Sequence, residues 1–248
     1  MAKILAIIPA RYAATRFPGK ALAPILGKPM ILWVLEGAKQ SKRLDEIIVA
    51  TDSEIIQDTV RHAGFNAEMT RPDHPSGTDR IWEVAQNYDC THVLNIQGDE
   101  PLINGRVIDH LLSILDNKPD FEMATMVKPF ERFDDAKDPN RVKVVVDEND
   151  RAIYFSRSLI PYPLGLPDNP DYRYLLHVGI YLYRKDFLKR FIEHGRSTLE
   201  KIERLEQLRA LAMGSEIHIV LTDQTLAGVD SPEDISRVET LLKGPLPA

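Results

Sequence analysis

The sequence predicts an α/β chain built on a mostly parallel sheet, with a smaller mixed β insertion in its second half. Three observations carry that prediction. Short apolar runs alternate with segments of helical character through the first 128 residues. The links between them are short and carry cap residues, Pro or Gly, which is the pattern of strands laid parallel and covered on both faces. After about residue 128 the rhythm changes to a hairpin, a proline-rich loop, an aromatic strand and a long helix.

Lys3–Ile8 reads as a buried first strand, followed by a loop over Pro9–Ala21. Pro29 opens a helix that continues through Met30–Gln40. Glu46–Ala50 is a second buried strand, Thr51-Asp52-Ser53 supplies caps, and Glu54–Ala63 is a helix ended by Gly64. Asn66–Met69 is a third strand. Ser76-Gly77-Thr78-Asp79 opens a helix over Arg80–Gln86, and Thr91–Ile96 is the next strand. Val107–Leu115 is helical and Glu122–Val127 a strand. Val142–Asp147 and Ala152–Phe155 form a hairpin, Ile160–Asp171 a long loop, and Leu175–Tyr183 a strand. Leu199–Met213 reads as one helix with Leu199, Ile202, Leu205 and Leu208 on its apolar side. Glu216–Leu221 is the last strand, and Ser231-Pro232-Glu233-Asp234 caps a final helix. The second half therefore reads as an insertion on the same sheet, within a single domain over 1–248.

Composition narrows the function classes. At 248 residues the chain buries enough surface to fold without a disulfide or metal staple. The single cysteine, Cys90, excludes a disulfide framework and a multi-cysteine zinc site. No apolar run approaches the roughly 20 residues of a membrane-spanning helix. The stretch Ile4–Ala10 is too short for a secretory signal and meets Arg11 at once, so a cytoplasmic protein is expected. The net charge of −6 argues against a bulk nucleic-acid binder. That charge is uneven. Residues 1–35 hold Lys3, Arg11, Arg16, Lys20 and Lys28 and no acid, a local cationic segment suited to an anionic ligand.

Four constellations carry chemistry. The first is the loop from Pro9-Ala10-Arg11 to Arg16-Phe17-Pro18-Gly19-Lys20, directly after the first strand, where open α/β sheets bind ligands. Its three cations suit a polyphosphate, with Arg offering a planar fork and Lys a point charge. It is not a P-loop, because Ala14 stands at the first glycine position and Ala21 follows the Lys. The second is Gln97-Gly98-Asp99-Glu100-Pro101 at a strand end. A carboxylate there, facing a phosphate loop, is explained by a bridging magnesium ion, the plainer alternative being a turn acid. The third is Asp230 before the last helix, either an N-cap or a second metal ligand if its strand end lies beside that of Asp99. The fourth is Arg157, His177, Tyr181 and Glu206, which together suit a polyhydroxy acid. His177 and Tyr181 are four apart on one strand and so face one side.

In order along the chain, Ile7-Ile8-Pro9-Ala10-Arg11-Tyr12, Arg16-Phe17-Pro18-Gly19-Lys20, Ser76-Gly77-Thr78-Asp79-Arg80, Gln97-Gly98-Asp99-Glu100-Pro101, Tyr154-Phe155-Ser156-Arg157, His177-Val178-Gly179-Ile180-Tyr181, Leu205-Glu206-Gln207-Leu208-Arg209 and Val229-Asp230-Ser231-Pro232-Glu233-Asp234 resemble the 3-deoxy-manno-octulosonate (KDO) cytidylyltransferase family. The resemblance implies a Rossmann-like nucleotide-diphospho-sugar transferase fold. On it, residues 1–128 form the nucleotide-binding core, about 129–215 the sugar-binding and dimerisation region, and 216–248 the return to the core. It implies transfer of CMP from CTP to the anomeric 2-hydroxyl of KDO, with magnesium as cofactor and a homodimer as the assembly. Carried over by motif, Arg11, Lys20 and Asp99 are catalytic. Ala10, Arg11, Arg16, Lys20, Ser76, Gly77 and Thr78 bind the nucleotide. Arg80, Gln97, Arg157, His177, Tyr181, Glu206 and Gln207 contact the sugar, and Asp99 and Asp230 hold the metal. Phe17 stands where leucine is common in the family and Asp79 where glutamate occurs, and the Ile160–Asp171 loop matches poorly. A cytidylyltransferase for 8-amino-KDO or a sialic acid is the close alternative. A glycosyltransferase is disfavoured because the strand ends in Gly98-Asp99-Glu100 without an Asp-x-Asp pair, and a non-catalytic nucleotide binder is the remaining class.

Overall fold

A computed structural model describes residues 2–13, 17–164, 172–224 and 226–244. In chain order the elements are β1 (Ile4–Ala10), β2 (Pro24–Ile25), β3 (Lys28–Pro29), α1 (Met30–Lys39), β4 (Glu46–Thr51), α2 (Glu54–His62), β5 (Asn66–Met69), α3 (Gly77–Ala85), β6 (His92–Ile96) and α4 (Gly105–Leu112). They continue with α5 (Ile114–Asn117), β7 (Met123–Pro129), β8 (Lys143–Val146), β9 (Ala152–Ser156), β10 (Leu175–Arg184), α6 (Lys185–His194), α7 (Thr198–Glu203), α8 (Leu208–Ala212), β11 (Ile217–Leu221) and α9 (Asp234–Lys243). Two compact units result: Met1–Ser113 with Gln224–Ala248, and Ile114–Asp223. No helix among the described residues is long and apolar enough to cross a membrane.

The first unit is an α/β layer. Its strands pair in parallel, with β1 between β6 and β4, and β5 outside β4. Ile7 and Ile8 are fully buried on successive, opposite faces of β1, as a parallel strand covered on both sides requires. Caps set the helix starts: Ser53, Ser76 and Asn104 each accept a backbone N–H from the first turn of α2, α3 and α4. The helices pack closely at glycine. A Cβ on Gly37 of α1 would lie 1.9 Å from the Ile103 carbonyl oxygen, so no other residue fits there without movement. The small β2–β3 hairpin, a stretch to which the sequence assigns no element, packs Ile25 with Met30, Val229 and Val238 in a cluster that also takes Phe17.

The second unit is mixed. β11 runs parallel to β7, β7 antiparallel to β10, and β8 antiparallel to both β9 and β10. Between Val178, opposite Met126, and Tyr181, opposite Thr125, two extra residues bulge out of β10. Two is an even number, so the side-chain alternation is preserved and His177 and Tyr181 share a face as expected, their rings 5.4 Å apart.

Two sequence expectations are corrected here. The single helix over Leu199–Met213 is broken: α7 stops at Glu203, Arg204 adopts a left-handed φ of 53°, and α8 starts only at Leu208. Its expected apolar stripe fails with it, since Leu199 and Ile202 are exposed while Leu205 and Leu208 are buried. The amphipathic helix α6, with Phe187, Leu188 and Phe191 buried, was not anticipated at all.

Candidate functional site

The carboxyl ends of β1 and β6 open onto a cleft of about 300 Å³ in the first unit. Its walls come from the segment after β1 (Ala10, Arg11), the turn that carries Lys20, the start of α3 (Ser76, Gly77), the end of β6 (Gln97, Asp99) and Asp230. Local sequence explains the shape. Gly19, with φ of 69°, turns the chain so that its N–H reaches the Tyr12 carbonyl at 2.9 Å, and Lys20 follows into the cleft. Gly98 lets the end of β6 approach β1, since a Cβ there would sit 3.0 Å from the Pro9 carbonyl oxygen.

The electrostatic centre is an ion pair. Lys20 Nζ donates to Asp99 Oδ2 at 2.5 Å and to the Val229 carbonyl at 3.0 Å. Val229 N–H in turn donates to the Asp99 carbonyl at 2.9 Å, which brings the residue before Asp230 against the β6 end. Lys28 plays no part in this cleft. It pairs with Glu36 at 2.5 Å and lies 3.4 Å over the Trp33 ring.

Arg80 lines the cleft and is almost fully buried. Its guanidinium donates to Thr70 Oγ1 and, at 2.7 Å, to Asp52 Oδ2. His74, which also lines the cleft, is bound through Nε2 to the Glu83 carboxylate, and its buried Nδ1 has no hydrogen-bond partner among the described residues. Glu83 also accepts the Arg71 N–H, so one carboxylate of α3 ties down the segment that leads into Ser76.

The second unit holds a separate polar cluster. Thr125 Oγ1 donates to the Ile180 carbonyl at 2.7 Å, so it accepts from His177 Nε2–H at 3.0 Å. Loss of water around the imidazole pushes the His177 pKa down to about 3, which keeps the ring neutral. Tyr181 donates to Gln207 Oε1 at 3.3 Å, and burial together with the Glu206 charge raises its hydroxyl pKa. The Gln207 amide nitrogen is buried without a hydrogen-bond partner among the described residues. Arg157 is bound by main-chain carbonyls, Nε to Glu203 at 2.7 Å and one Nη to Pro139 at 3.0 Å. Glu206 reaches Arg209, which is itself clamped by Glu200.

A family model described as cytidylyltransferase matches residues 5–217. A 3-deoxy-manno-octulosonate cytidylyltransferase from Syntrophotalea carbinolica is 46% identical over 247 residues, covering 97% of this chain and 99% of that one. The chain belongs to the 3-deoxy-manno-octulosonate cytidylyltransferase family. A relative of the same name from Leptospira interrogans is 47% identical, covering 96% of this chain and 95% of its own. The structure of a CMP:2-keto-3-deoxy-manno-octonic acid synthetase complexed with CTP superposes with a TM-score of 0.92 at 41% identity, over 97% of this chain and 98% of that one. A 4-diphosphocytidyl-2C-methyl-D-erythritol synthase from Anaerococcus prevotii, at 15% identity and a TM-score of 0.65, covering 98% of this chain and 99% of that one, shares the fold.

In this cytidylyltransferase the expected residues divide cleanly. Ala10, Arg11, Lys20, Ser76, Gly77, Arg80, Gln97, Asp99 and Asp230 line one cleft. Thr78 does not: it is buried on the inner side of α3. Arg16 lies outside the described residues, as do 165–171 of the proline-rich loop. Arg157, His177, Tyr181, Glu206 and Gln207 belong to the second unit. Sequence reasoning missed Asp52, His74 and Glu83. Asp52 and His74 carried a readable signal, since both follow strand ends of the first unit, but Glu83 sits mid-helix with nothing local to mark it.

Proposed function

We propose that this chain transfers the cytidylyl group of CTP to the anomeric 2-hydroxyl of 3-deoxy-D-manno-octulosonate, releasing pyrophosphate, and so supplies the activated sugar for lipopolysaccharide synthesis. The observation that carries the reading is the cleft, in which Arg11, Lys20, Asp99 and Asp230 of this family member meet. The cytidylyltransferase is read as cytoplasmic, where its nucleotide is made.

Magnesium is the proposed cofactor. Asp99 and Asp230 line the same cleft, and Asp99 Oδ2 already faces a cation, the Lys20 ammonium. Two carboxylates with substrate phosphate oxygens form the hard-oxygen set that magnesium takes, so the residues fit. When bound, the ion neutralises phosphate charge and acidifies the attacking hydroxyl.

The chain's own residues supply the rest. Arg11 holds two phosphate oxygens with its planar fork, and Lys20 places a point charge beside them. Both stabilise charge that builds on the leaving pyrophosphate as the hydroxyl attacks the α-phosphorus in line. The first turn of α3, at Ser76 and Gly77, offers backbone N–H groups to the nucleotide. Within the second unit, Arg157, neutral His177, Tyr181, Glu206 and Gln207 offer the polar groups a sugar acid takes; within the first, Arg80 and Gln97 are the sugar contacts the family resemblance implies. The unpartnered Gln207 amide supports that assignment, because a buried donor calls for an acceptor that a sugar oxygen supplies. In-line attack by the sugar hydroxyl needs no covalent intermediate on a side chain.

A homodimer through the second unit is supported by the apolar surface that unit leaves open, with Ile153 57%, Ile202 73% and Leu221 57% exposed. Sedimentation should give twice the chain mass, and Ile202→Glu should shift it towards the monomer. A monomeric parent chain would remove the dimer from the reading.

The activity is tested by magnesium-dependent pyrophosphate release with CTP, UTP, ATP and GTP against KDO, 8-amino-KDO and a sialic acid. Release with CTP and KDO alone is expected. Release with CTP and a different acid would move the error into the His177, Tyr181 and Gln207 cluster, and no release with any pair would overturn the reading.

A further inference from the structure

Asp52 is absent from the cleft wall, yet it touches two segments that form it. Its Oδ1 accepts the backbone N–H of Tyr12, the residue after Arg11, at 3.2 Å. Its Oδ2 accepts from the Arg80 guanidinium at 2.7 Å, with both side chains nearly buried (11% and 4% exposed). Arg80 also donates to Thr70, whose hydroxyl and N–H both return to the Thr51 carbonyl, one residue before Asp52. The result is a closed ring of hydrogen bonds. It joins the end of β4, the segment after β5, helix α3 and the loop after β1.

The geometry points to Asp52 as a positioning residue for the phosphate loop, one that fixes the Arg11–Tyr12 backbone before the nucleotide arrives and aims the Arg80 fork along the same wall. The chemistry favours this over a purely structural bridge. An ionised carboxylate is acceptor-only, so it can hold a backbone N–H and a guanidinium at once, one on each oxygen. Neither partner can be met equally by a neutral amide, which would turn an NH2 group towards one of two donors. The loop residue so held stands next to the cation that receives the triphosphate, and a misplacement of about 1 Å at such a group costs on the order of 10²-fold in rate.

The inference rests on the proposed role of Arg11 with CTP, and the experiment separates the two. Steady-state kinetics are measured for Asp52→Asn, Arg11→Ala and the double variant, varying CTP and KDO separately. Asp52→Asn is expected to lower kcat/KM for CTP by about tenfold or more through a raised KM; the KM for KDO rises as well, because the same carboxylate holds Arg80, a proposed sugar contact. In the Arg11→Ala background the same substitution should cost less than threefold, since the loop no longer carries the group being positioned. A full additive loss in the double variant, or an unchanged KM for CTP in Asp52→Asn, would overturn the inference while leaving the role of Arg11 intact. An Arg11→Ala enzyme with unchanged KM for CTP would instead overturn the reading of the loop itself. Hydrogen exchange of the unsubstituted enzyme without nucleotide covers the case in which Asp52→Asn does not fold. The Tyr12 amide should exchange at least about tenfold more slowly than an open loop, and exchange at the open-loop rate would overturn the inference.

Discussion

Lys20 Nζ lies 2.5 Å from Asp99 Oδ2, so the cation of the phosphate loop and the carboxylate of the β6 end hold each other in place across the cleft. The pair is only partly exposed, at 19% and 30% of the two side chains, and Lys20 is further anchored by the Val229 carbonyl. Each member is thereby fixed where the proposed reading puts phosphate oxygens and a divalent ion. Asp99→Asn keeps the shape and removes the charge. It should lower kcat by at least ~10²-fold, the cost of losing one transition-state electrostatic contact. Lys20→Ala should likewise reduce turnover while the thermal midpoint changes little. Near-normal magnesium-dependent turnover by the Asp99 variant would remove this residue from the proposed metal site.

Legibility from sequence followed locality. The β1 strand, the loop that ends in Lys20 and the Asp99 strand end were readable because each is one contiguous segment with its own chemistry. Asn66–Met69 was readable to the residue, bounded as it is by Gly64 and by the polar stretch from Thr70. The failures are tertiary. The run from Leu199 to Met213 has helical periodicity, but the Glu200 carboxylate reaches Arg209 from a capping box at Ser197, and the chain kinks at Arg204 to let it do so. Asp52 and Arg80 were visible as a cap residue and a candidate sugar contact. Nothing in either segment announces that 28 positions apart they form an ion pair.

Arg209 and Glu200 test that tertiary override. Arg209 donates through Nε at 2.9 Å and through one Nη at 2.7 Å to the two carboxylate oxygens, with its plane 4.4 Å over the Phe191 ring. The side chains are 2% and 8% exposed. Glu200→Gln should destabilise by about 3 kcal/mol, the lower end for breaking a buried pair, because it leaves the buried guanidinium only the more distant Glu206 carboxylate as a charged partner. Replacing both, with Arg209→Met and Glu200→Leu, should recover much of the loss. Chemical denaturation measures this, and equal destabilisation by the single and double variants would show that the charge is not what matters.

Gly37 makes a contrasting, purely steric prediction. A methyl group at this α1 position collides with the Ile103 backbone oxygen, which no rotamer can move. Gly37→Ala should cost about 3 kcal/mol, at the upper end of overpacking. For a chain of this size that is roughly 6–12 °C of Tm. Gly27→Ala is the control: its φ of 80° is left-handed but no atom lies within 4 Å of the new Cβ. It should cost about 1–2 kcal/mol, the backbone penalty alone. A Gly37 variant no worse than the Gly27 variant would mean that α1 and the segment before α4 shift apart freely.

His177 sets a pH dependence whose sign is fixed by burial. The pKa of the folded ring is pushed down to about 3 from an ordinary value of 6.5, because charging the half-buried imidazole would place a cation beside Phe155 and Tyr181 with little water around it. Between those two values the unfolded chain binds a proton that the folded chain refuses. The stabilisation is therefore complete above pH 6.5 and is lost progressively as pH falls towards 3. His177→Gln keeps an amide N–H for Thr125 and cannot titrate. Its denaturation midpoint should fall less steeply than that of the parent chain from pH 6.5 to pH 4. The ring is neutral throughout the working range, so the acid limb of the kcat profile should keep its midpoint in the variant even where the KM for the sugar acid rises. Parallel stability slopes for the two proteins would show that His177 is protonated in the folded state, and a displaced acid limb would make it a titrating participant in turnover.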